Sequence, residues 1–385
     1  MTLDGRKNET VQTCNQTMSI MPTVQINSKV VGIRGKPKVS LQVTNFLLFY
    51  DSMSAETSQT ANCSPAYSRE YRELTGGFPM NQKLRLMQWN VLAQGFIPLD
   101  EFIHCSSSLL NLDRRCDQVV QEILHFRPDV ICFQEADFIH HLVKRLETNG
   151  LSYCFQFSPK VDSACLDIPG NIGPDGSAIV YRSDRLKLVQ SRELPLDEFA
   201  DRSALFCEFG LIVEPVSSST FYVTSAHLKA KPQCFNIRLE QGRYLLKSLD
   251  LLAHDKRVCY PPLFICGDFN AEPHESIIKM LLGAFSQSSP EWKLHSAYAE
   301  ANLGEEPEFT TWKIRESKRL SKRTEVCHAI DYILYSPQSV QLLGVWWIPD
   351  RHLIGPHGLP SSRFPSDHLN LVADFELRRT GVDEG

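Results

Sequence analysis

Short apolar runs, several of them ending on a polar or charged residue, recur through most of this chain. They constrain its fold more than any other feature. Residues 84–91 (Leu-Arg-Leu-Met-Gln-Trp-Asn-Val), 130–133 (Val-Ile-Cys-Phe), 177–181, 205–213, 221–227, 263–266 (Leu-Phe-Ile-Cys), 329–335, 340–347 and 369–375 all read this way. Runs of this length, rich in β-branched and aromatic residues, fit buried strands better than helices. Amphipathic segments lie between them. Cys116, Val119, Val120, Ile123 and Leu124 repeat at helical spacing, and Pro128 ends that helix. Residues 137–147 predict a second helix, Leu245, Leu249 and Leu252 a third, and Glu272-Pro273 opens another. Many strands with dispersed helices imply sheet packed on sheet with helices outside.

Residues 1–80 behave differently. They lack sustained periodicity and are rich in Ser, Thr, Asn and Gln, so a largely disordered tail is expected there, with one globular domain over 81–380. A docking role for the tail is an alternative to a solvated one, and nothing in the sequence names a partner.

The formal net charge of −5 argues against holding a nucleic acid by bulk electrostatics, which needs clustered Lys and Arg. The 12 cysteines form no CxxC pair, and several sit inside apolar runs, so they read as reduced thiols. The N-terminus carries no apolar signal segment. Asp4 and Glu9 disfavour a mitochondrial presequence, and no run is long enough to span a bilayer. A cytoplasmic location is expected.

Chemistry concentrates where the apolar runs stop. The first run ends near Asn90, the second leads to Gln134 and Glu135, and Val-Thr-Ser-Ala-His carries His227. Phe-Ile-Cys-Gly-Asp-Phe-Asn carries Asp268 and Asn270, His-Ala-Ile-Asp-Tyr carries Asp331, and Pro-Ser-Asp-His carries Asp367 and His368. One such carboxylate is usually a turn or cap residue. Six such elements in one chain indicate a site. Phosphate-ester hydrolysis requires neutralised phosphoryl oxygens and an activated water. Mg²⁺ takes only one or two protein carboxylates, and Glu135 at a buried strand end suits it. Asp268 can orient and deprotonate water. If the chain stays extended there, Asn270 shares its face, and Gly267 permits close backbone approach. His368 can hydrogen-bond the phosphoryl group, with Asp331 behind it favouring the protonated ring.

In this order, Gln-Glu, Gly-Asp-Phe-Asn, Asp-Tyr-Ile and Ser-Asp-His resemble the endonuclease/exonuclease/phosphatase superfamily, over roughly residues 84–377. The resemblance implies a four-layer α/β/β/α sandwich of two mixed sheets flanked by helices. It implies Glu135 as the Mg²⁺ ligand, with Asn90, Asp268 and Asn270 around phosphate and water. It further implies an Asp331–His368 dyad, Asp367 in support and His227 near the scissile phosphate. Gly-Pro-Asp-Gly, His-Leu-Lys-Ala-Lys, Gly-Asp-Phe-Asn-Ala-Glu-Pro and Phe-Thr-Thr-Trp-Lys-Ile-Arg further resemble a circadian branch near the deadenylases. That branch removes the 2′-phosphate from NADP⁺ and NADPH. Its phosphate-holding basic residues match Lys160, Lys229 and Lys231. The last is typically Arg in the branch, so here the charge survives and the bidentate fork does not.

Two other functions remain open to the sequence. A 3′-exonuclease acting on poly(A) RNA would use the same hydrolytic site but needs stacking aromatics, for which Phe309 and Trp312 are candidates. A non-enzymatic adaptor is opposed by the intact acidic and His residues in all six elements.

Overall fold

A computed structural model describes residues 69–74, 83–97, 102, 104–198, 203–212, 220–255, 262–283, 293–317 and 322–378. The expectation of a disordered tail lies outside these residues except at 69–74. There Tyr71–Glu73 forms a strand (β1) paired with Val340–Trp346. That short segment is part of the domain's sheet.

The remaining strands in chain order are Lys83–Asn90 (β2), Val130–Gln134 (β3), Tyr153–Pro159 (β4), Gly176–Arg182 (β5), Leu186–Pro195 (β6), Ser203–Leu211 (β7), Thr220–His227 (β8), Leu263–Asp268 (β9), His295–Ser296 (β10), Thr311–Ser317 (β11), Lys322–His328 (β12), Asp331–Tyr335 (β13), Val340–Trp346 (β14) and Leu371–Leu377 (β15). The helices are Leu112–Phe126 (α1), Ile139–Thr148 (α2), Phe235–Asp255 (α3), Ser276–Leu281 (α4), Ala297–Glu300 (α5) and Arg351–Ile354 (α6). One mixed sheet runs β1-β14-β15-β2-β3-β5-β4 and a second runs β10-β13-β9-β8-β7-β6, with β11 and β12 forming a separate hairpin. Each large sheet has one parallel pair, β2 with β3 and β8 with β9.

The period of two in a strand sorts these residues into three cores. Leu84 and Leu86 of β2, Val130 and Cys132 of β3, Val223 of β8, Phe264 and Cys266 of β9, and Ile333 and Tyr335 of β13 interdigitate between the sheets. Met87, Trp89, Ile131 and Phe133 face the opposite way, onto Cys116, Val119, Ile123 and Leu142 of α1 and α2. Tyr222, Leu263, Ile265 and Leu334 meet Leu245 and Leu249 of α3 and Ile277 of α4. Helices therefore cover both outer faces. Asn111 caps α1 by accepting from the Arg114 N–H, a contact of about 1 kcal/mol. Truncating the fully buried Ile123 of that helix to Ala would cost roughly 3 kcal/mol.

The helix expected to open at Glu272-Pro273 starts instead at Ser276, after a turn closed by Glu275 N–H donating to the Glu272 carbonyl. Among the described residues no helix is long and apolar enough to cross a membrane.

Candidate active site

Strand parity and register bring the sequence-predicted residues together. Asn90 is in phase with Leu84 and Leu86, so its side chain faces the second sheet. Asp268 is in phase with Phe264 and Cys266, Asp331 with Ile333 and Tyr335, and His227 with Phe221 and Val223. The parallel register of β8 and β9 sets His227 beside Asp268, and the antiparallel register of β9 and β13 sets Asp331 on its other side. The apolar interior thus becomes polar at one rim. Gln88, Gln134 and Ser225 mark the transition, with Gln134 Nε2 donating to Ser225 Oγ at 3.0 Å.

Glu135 breaks the alternation. By parity it would turn toward the helices, but it adopts a left-handed backbone with φ 55°, a conformation that costs a non-glycine residue about 1 kcal/mol or more. The turn brings its carboxylate to Asn90 Nδ2 (3.0 Å) and the Ala93 N–H (3.2 Å). Asn90 Nδ2 also reaches Asp268 Oδ2 at 3.0 Å, so one amide bridges both acids. A backbone bond from Ala136 N–H to the Gly176 carbonyl braces this turn. Gly176 cannot carry a side chain, because a Cβ there would lie 2.2 Å from the Ser158 carbonyl oxygen. Gly267 is fixed in the same way: its Cβ would lie 2.0 Å from the Ala226 carbonyl oxygen.

Asn270 departs from expectation. The chain does not stay extended after Asp268. Asn270 has φ 50°, and its N–H donates to Asp268 Oδ1 at 2.9 Å, while its Nδ2 donates to the Leu228 carbonyl at 3.2 Å. It holds the Asp268 carboxylate from behind and does not share its face.

His368 Nδ1–H donates to Asp331 Oδ2 at 2.8 Å, which directs Nε2 toward Asp268 Oδ2, 3.8 Å away. His227 Nε2 approaches the same oxygen at 3.6 Å. Asp331 Oδ2 also accepts from Thr310 Oγ1 at 2.6 Å. The His368 loop is tied to β2, because Ser366 Oγ donates to the Asn90 carbonyl (2.6 Å) and Trp89 Nε1 to the His368 carbonyl (2.9 Å). Asp367 pairs with Lys313 Nζ at 2.5 Å, and that ammonium lies 3.3 Å from His368 Nε2.

The electrostatics follow from burying so many acids. Burial, then the Asp367 carboxylate, push Glu135 up to about 7 against the Asn90 hydrogen bond and the Lys313 charge. Burial foremost raises Asp268 to about 6; His368 opposes this and Asp331 reinforces it. Burial alone would depress His368. The Asp331 charge, with help from Asp268, overcomes both that and Lys313 and lifts the imidazole to about 9. At neutral pH the ring is therefore cationic, an acid or anion-stabilising group, and Asp268 sits near the range useful to a general base.

Sequence reading missed Lys313, Thr310 and Arg115. Fully buried Arg115 donates to the carbonyls of Val91 (2.6 Å), Leu92 (2.5 Å) and Pro365 (2.8 Å), locking the loops after β2 and before His368 together. Neither a lysine in an alternating strand nor an arginine on a polar-reading helix stretch carries a local signal of such a role.

The three candidate phosphate lysines stand at different depths. Lys160, after β4, donates to buried Asp175 Oδ2 at 2.8 Å. Lys229 is half-buried and Lys231 exposed, both past the end of β8. Arg238 fixes their backbone by donating to the carbonyls of Lys229 (3.1 Å) and Lys231 (2.8 Å). Beside His227 a cleft opens between the sheet edges, and Ser158, Lys160, Ser177, Glu193 and Ser203 are among its walls. Phe309 and Trp312 do not offer a stacking platform. They are 3% and 7% exposed, packed on each other and under the Arg351 guanidinium.

The Endonuclease/Exonuclease/phosphatase family pattern matches residues 87–368. Nocturnin of Xenopus laevis is 38% identical over 301 residues, covering 76% of this chain and 72% of that protein. Nocturnin of Homo sapiens is 34% identical over 315 residues, covering 81% and 70%. The solved structure of the human nocturnin catalytic domain with bound sulfate anion is similar at TM-score 0.63 and 30% identity, over 80% of this chain and 97% of that one.

Proposed function

Since this chain belongs to the endonuclease/exonuclease/phosphatase family, as a phosphoesterase related to nocturnin and the deadenylases, we propose that it removes the 2′-phosphate from NADP⁺ and NADPH with the aid of Mg²⁺. The observation that carries the reading is the joining of one hydrolytic centre to a small cleft of mixed charge, through His227. Lys160 pairs with Asp175 there and Glu193 is a second carboxylate in the lining, which suits a compact dinucleotide better than a polyanionic strand.

The residues fit a divalent ion. Glu135, Asp268, Asp331 and Asp367 are four carboxylates facing two cationic groups, His368 and Lys313, within one contact network. A divalent ion would offset this excess of carboxylates and favour their ionised forms. Glu135 would hold it, and when bound it neutralises phosphoryl oxygens.

The chain's own groups do the rest. Asp268, oriented by Asn90 and the Asn270 N–H, takes a proton from the attacking water. Cationic His368, held by Asp331, stabilises charge on the phosphoryl oxygens. Lys229 and Lys231, on a backbone pinned by Arg238, attract the substrate's other phosphates. The water oxygen bonds to phosphorus, the P–O2′ bond breaks with its electron pair going to O2′, and that oxygen is protonated from solvent.

The test is phosphate release from NADP⁺ and NADPH by the purified protein, with and without Mg²⁺. Release is expected only with the ion and is abolished in Glu135→Ala. Shortening of labelled oligoadenylate at catalytic enzyme concentrations, with no release from either dinucleotide, would replace this reading with a 3′-exonuclease.

A further inference from the structure

We infer that Glu193 accepts the vicinal diol of the ribose farthest from the 2′-phosphate, making the cleft beside His227 a subsite for the distal nucleoside. This deepens the NADP(H) reading and rests on it. Glu193 lies on β6, whose Leu194 packs into the core under α3 and α4. Alternation therefore turns Glu193 to the opposite side, where it lines the cleft. Among the described residues its carboxylate has no hydrogen-bond or ion-pair partner. The surrounding wall is rich in hydroxyls: Ser158 and Ser177 are buried, and Ser158 Oγ meets Ser203 Oγ at 3.3 Å, linking β4 of one sheet to β7 of the other.

This lining selects its occupant. Lys160, the position matched to a dinucleotide phosphate, stands in the same wall on Asp175 at 2.8 Å, so the nucleoside beyond that phosphate would meet the remaining lining. A carboxylate among hydroxyls accepts from neighbouring O–H groups, and a ribose 2′,3′-diol offers two at the right spacing for its two oxygens. Val161, 72% exposed at the cleft rim, adds an apolar surface for the attached ring. His227 belongs to both places, with its Nε2 3.6 Å from Asp268, so the cleft continues directly from the hydrolytic centre.

The experiment compares Glu193→Ala with the unaltered enzyme on three substrates: NADP⁺, NADPH and adenosine 2′,5′-bisphosphate, which lacks the distal nucleoside. For both dinucleotides the variant is expected to raise KM about tenfold with kcat within twofold, the loss of a charge-assisted hydrogen-bond pair. For the bisphosphate its kcat/KM is expected to change less than twofold. Glu193→Gln, which retains one acceptor oxygen, should fall between. Equal effects on all three substrates, or no effect on any, would overturn the subsite. An effect confined to NADP⁺ would also overturn it, since that would report the charged ring and not the shared diol. If the unaltered enzyme releases no phosphate from any of the three, the underlying reading fails and the subsite falls with it. That result is distinct from normal hydrolysis with no difference between variants.

Discussion

Replacing Lys313 with Met tests whether the site's charge balance also holds up the fold. Lys313 and Asp367 are 2.5 Å apart, with side chains 16% and 3% exposed. At an effective dielectric near 20 the gross attraction is about 7 kcal/mol, but burial offsets much of it. The variant leaves Asp367 sequestered beside Glu135 without the Lys313 charge. Breaking a buried pair in this way costs roughly 3–5 kcal/mol, and the residual exposure of Lys313 favours the lower end. In a domain of this size, about 3 kcal/mol lowers Tm by roughly 6–12 °C. Urea unfolding at pH 7.5 measures the loss directly. The double variant Lys313→Met/Asp367→Asn also removes the Asp367 charge and should recover most of the loss. A single-variant cost below about 1 kcal/mol, or a double variant no more stable than the single, would show that water already screens the pair and would refute the reasoning.

Asp331→Asn removes the charge that raises His368, whose cationic form is present below about 9 and is lost as pH rises through that value. The alkaline fall of kcat/KM should therefore move from near pH 9 to below pH 7, with kcat reduced about 10²–10⁴-fold; a fall that stays near 9 would exclude Asp331 as the cause. Glu306→Gln concerns a half-buried carboxyl whose Oε1 is sequestered without a hydrogen-bond partner and which burial holds up at about 7. The penalty falls on the ionised form, absent below pH 4.5 and complete above 7, so the variant should gain up to about 2 kcal/mol at pH 8 and almost nothing at pH 4. Gly176→Ala sets a Cβ against the Ser158 carbonyl and disturbs the bond that braces Glu135. It should cost about 2 kcal/mol or more in urea unfolding and should lower activity at saturating NADP⁺ even where the protein remains folded.

Strands buried on both faces were legible because both of their side-chain sets are apolar. That is why β2, β3, β9 and β13 stood out, and why the polar residues ending them could be singled out as a site. The elements that escaped are those whose burial is one-sided or late. The edge strand β6 alternates apolar with charged residues, such as Leu188 and Arg192, and so resembles a loop. Hairpin β11–β12 is largely polar, and β10 is two residues long. Phe309 and Trp312 misled in the opposite direction. A sequence shows that an aromatic is present, but only packing under Arg351 shows that its faces are already covered.

The same contrast explains which site residues could be read. Asn90, Asp268 and Asp331 inherit their direction from strand parity, so period and register suffice to converge them. Glu135 does not. Its usefulness depends on a left-handed turn that no propensity favours for glutamate, held by Asn90, the Ala93 N–H and the Gly176 backbone. Lys313 and Arg115 are still further from local pattern, because each acts across more than fifty or two hundred residues of chain: Lys313 on His368 55 positions away and Arg115 on Pro365 250 away. The strained turn, the two carboxyls pushed up toward neutrality and the buried cations that oppose them all fall in one small volume. Each would be eliminated by selection for stability alone. A site that concentrates conformational strain and uncompensated negative charge in this way is arranged to receive positive charge and a phosphate from outside, and the surrounding cores supply the stability that tolerates it.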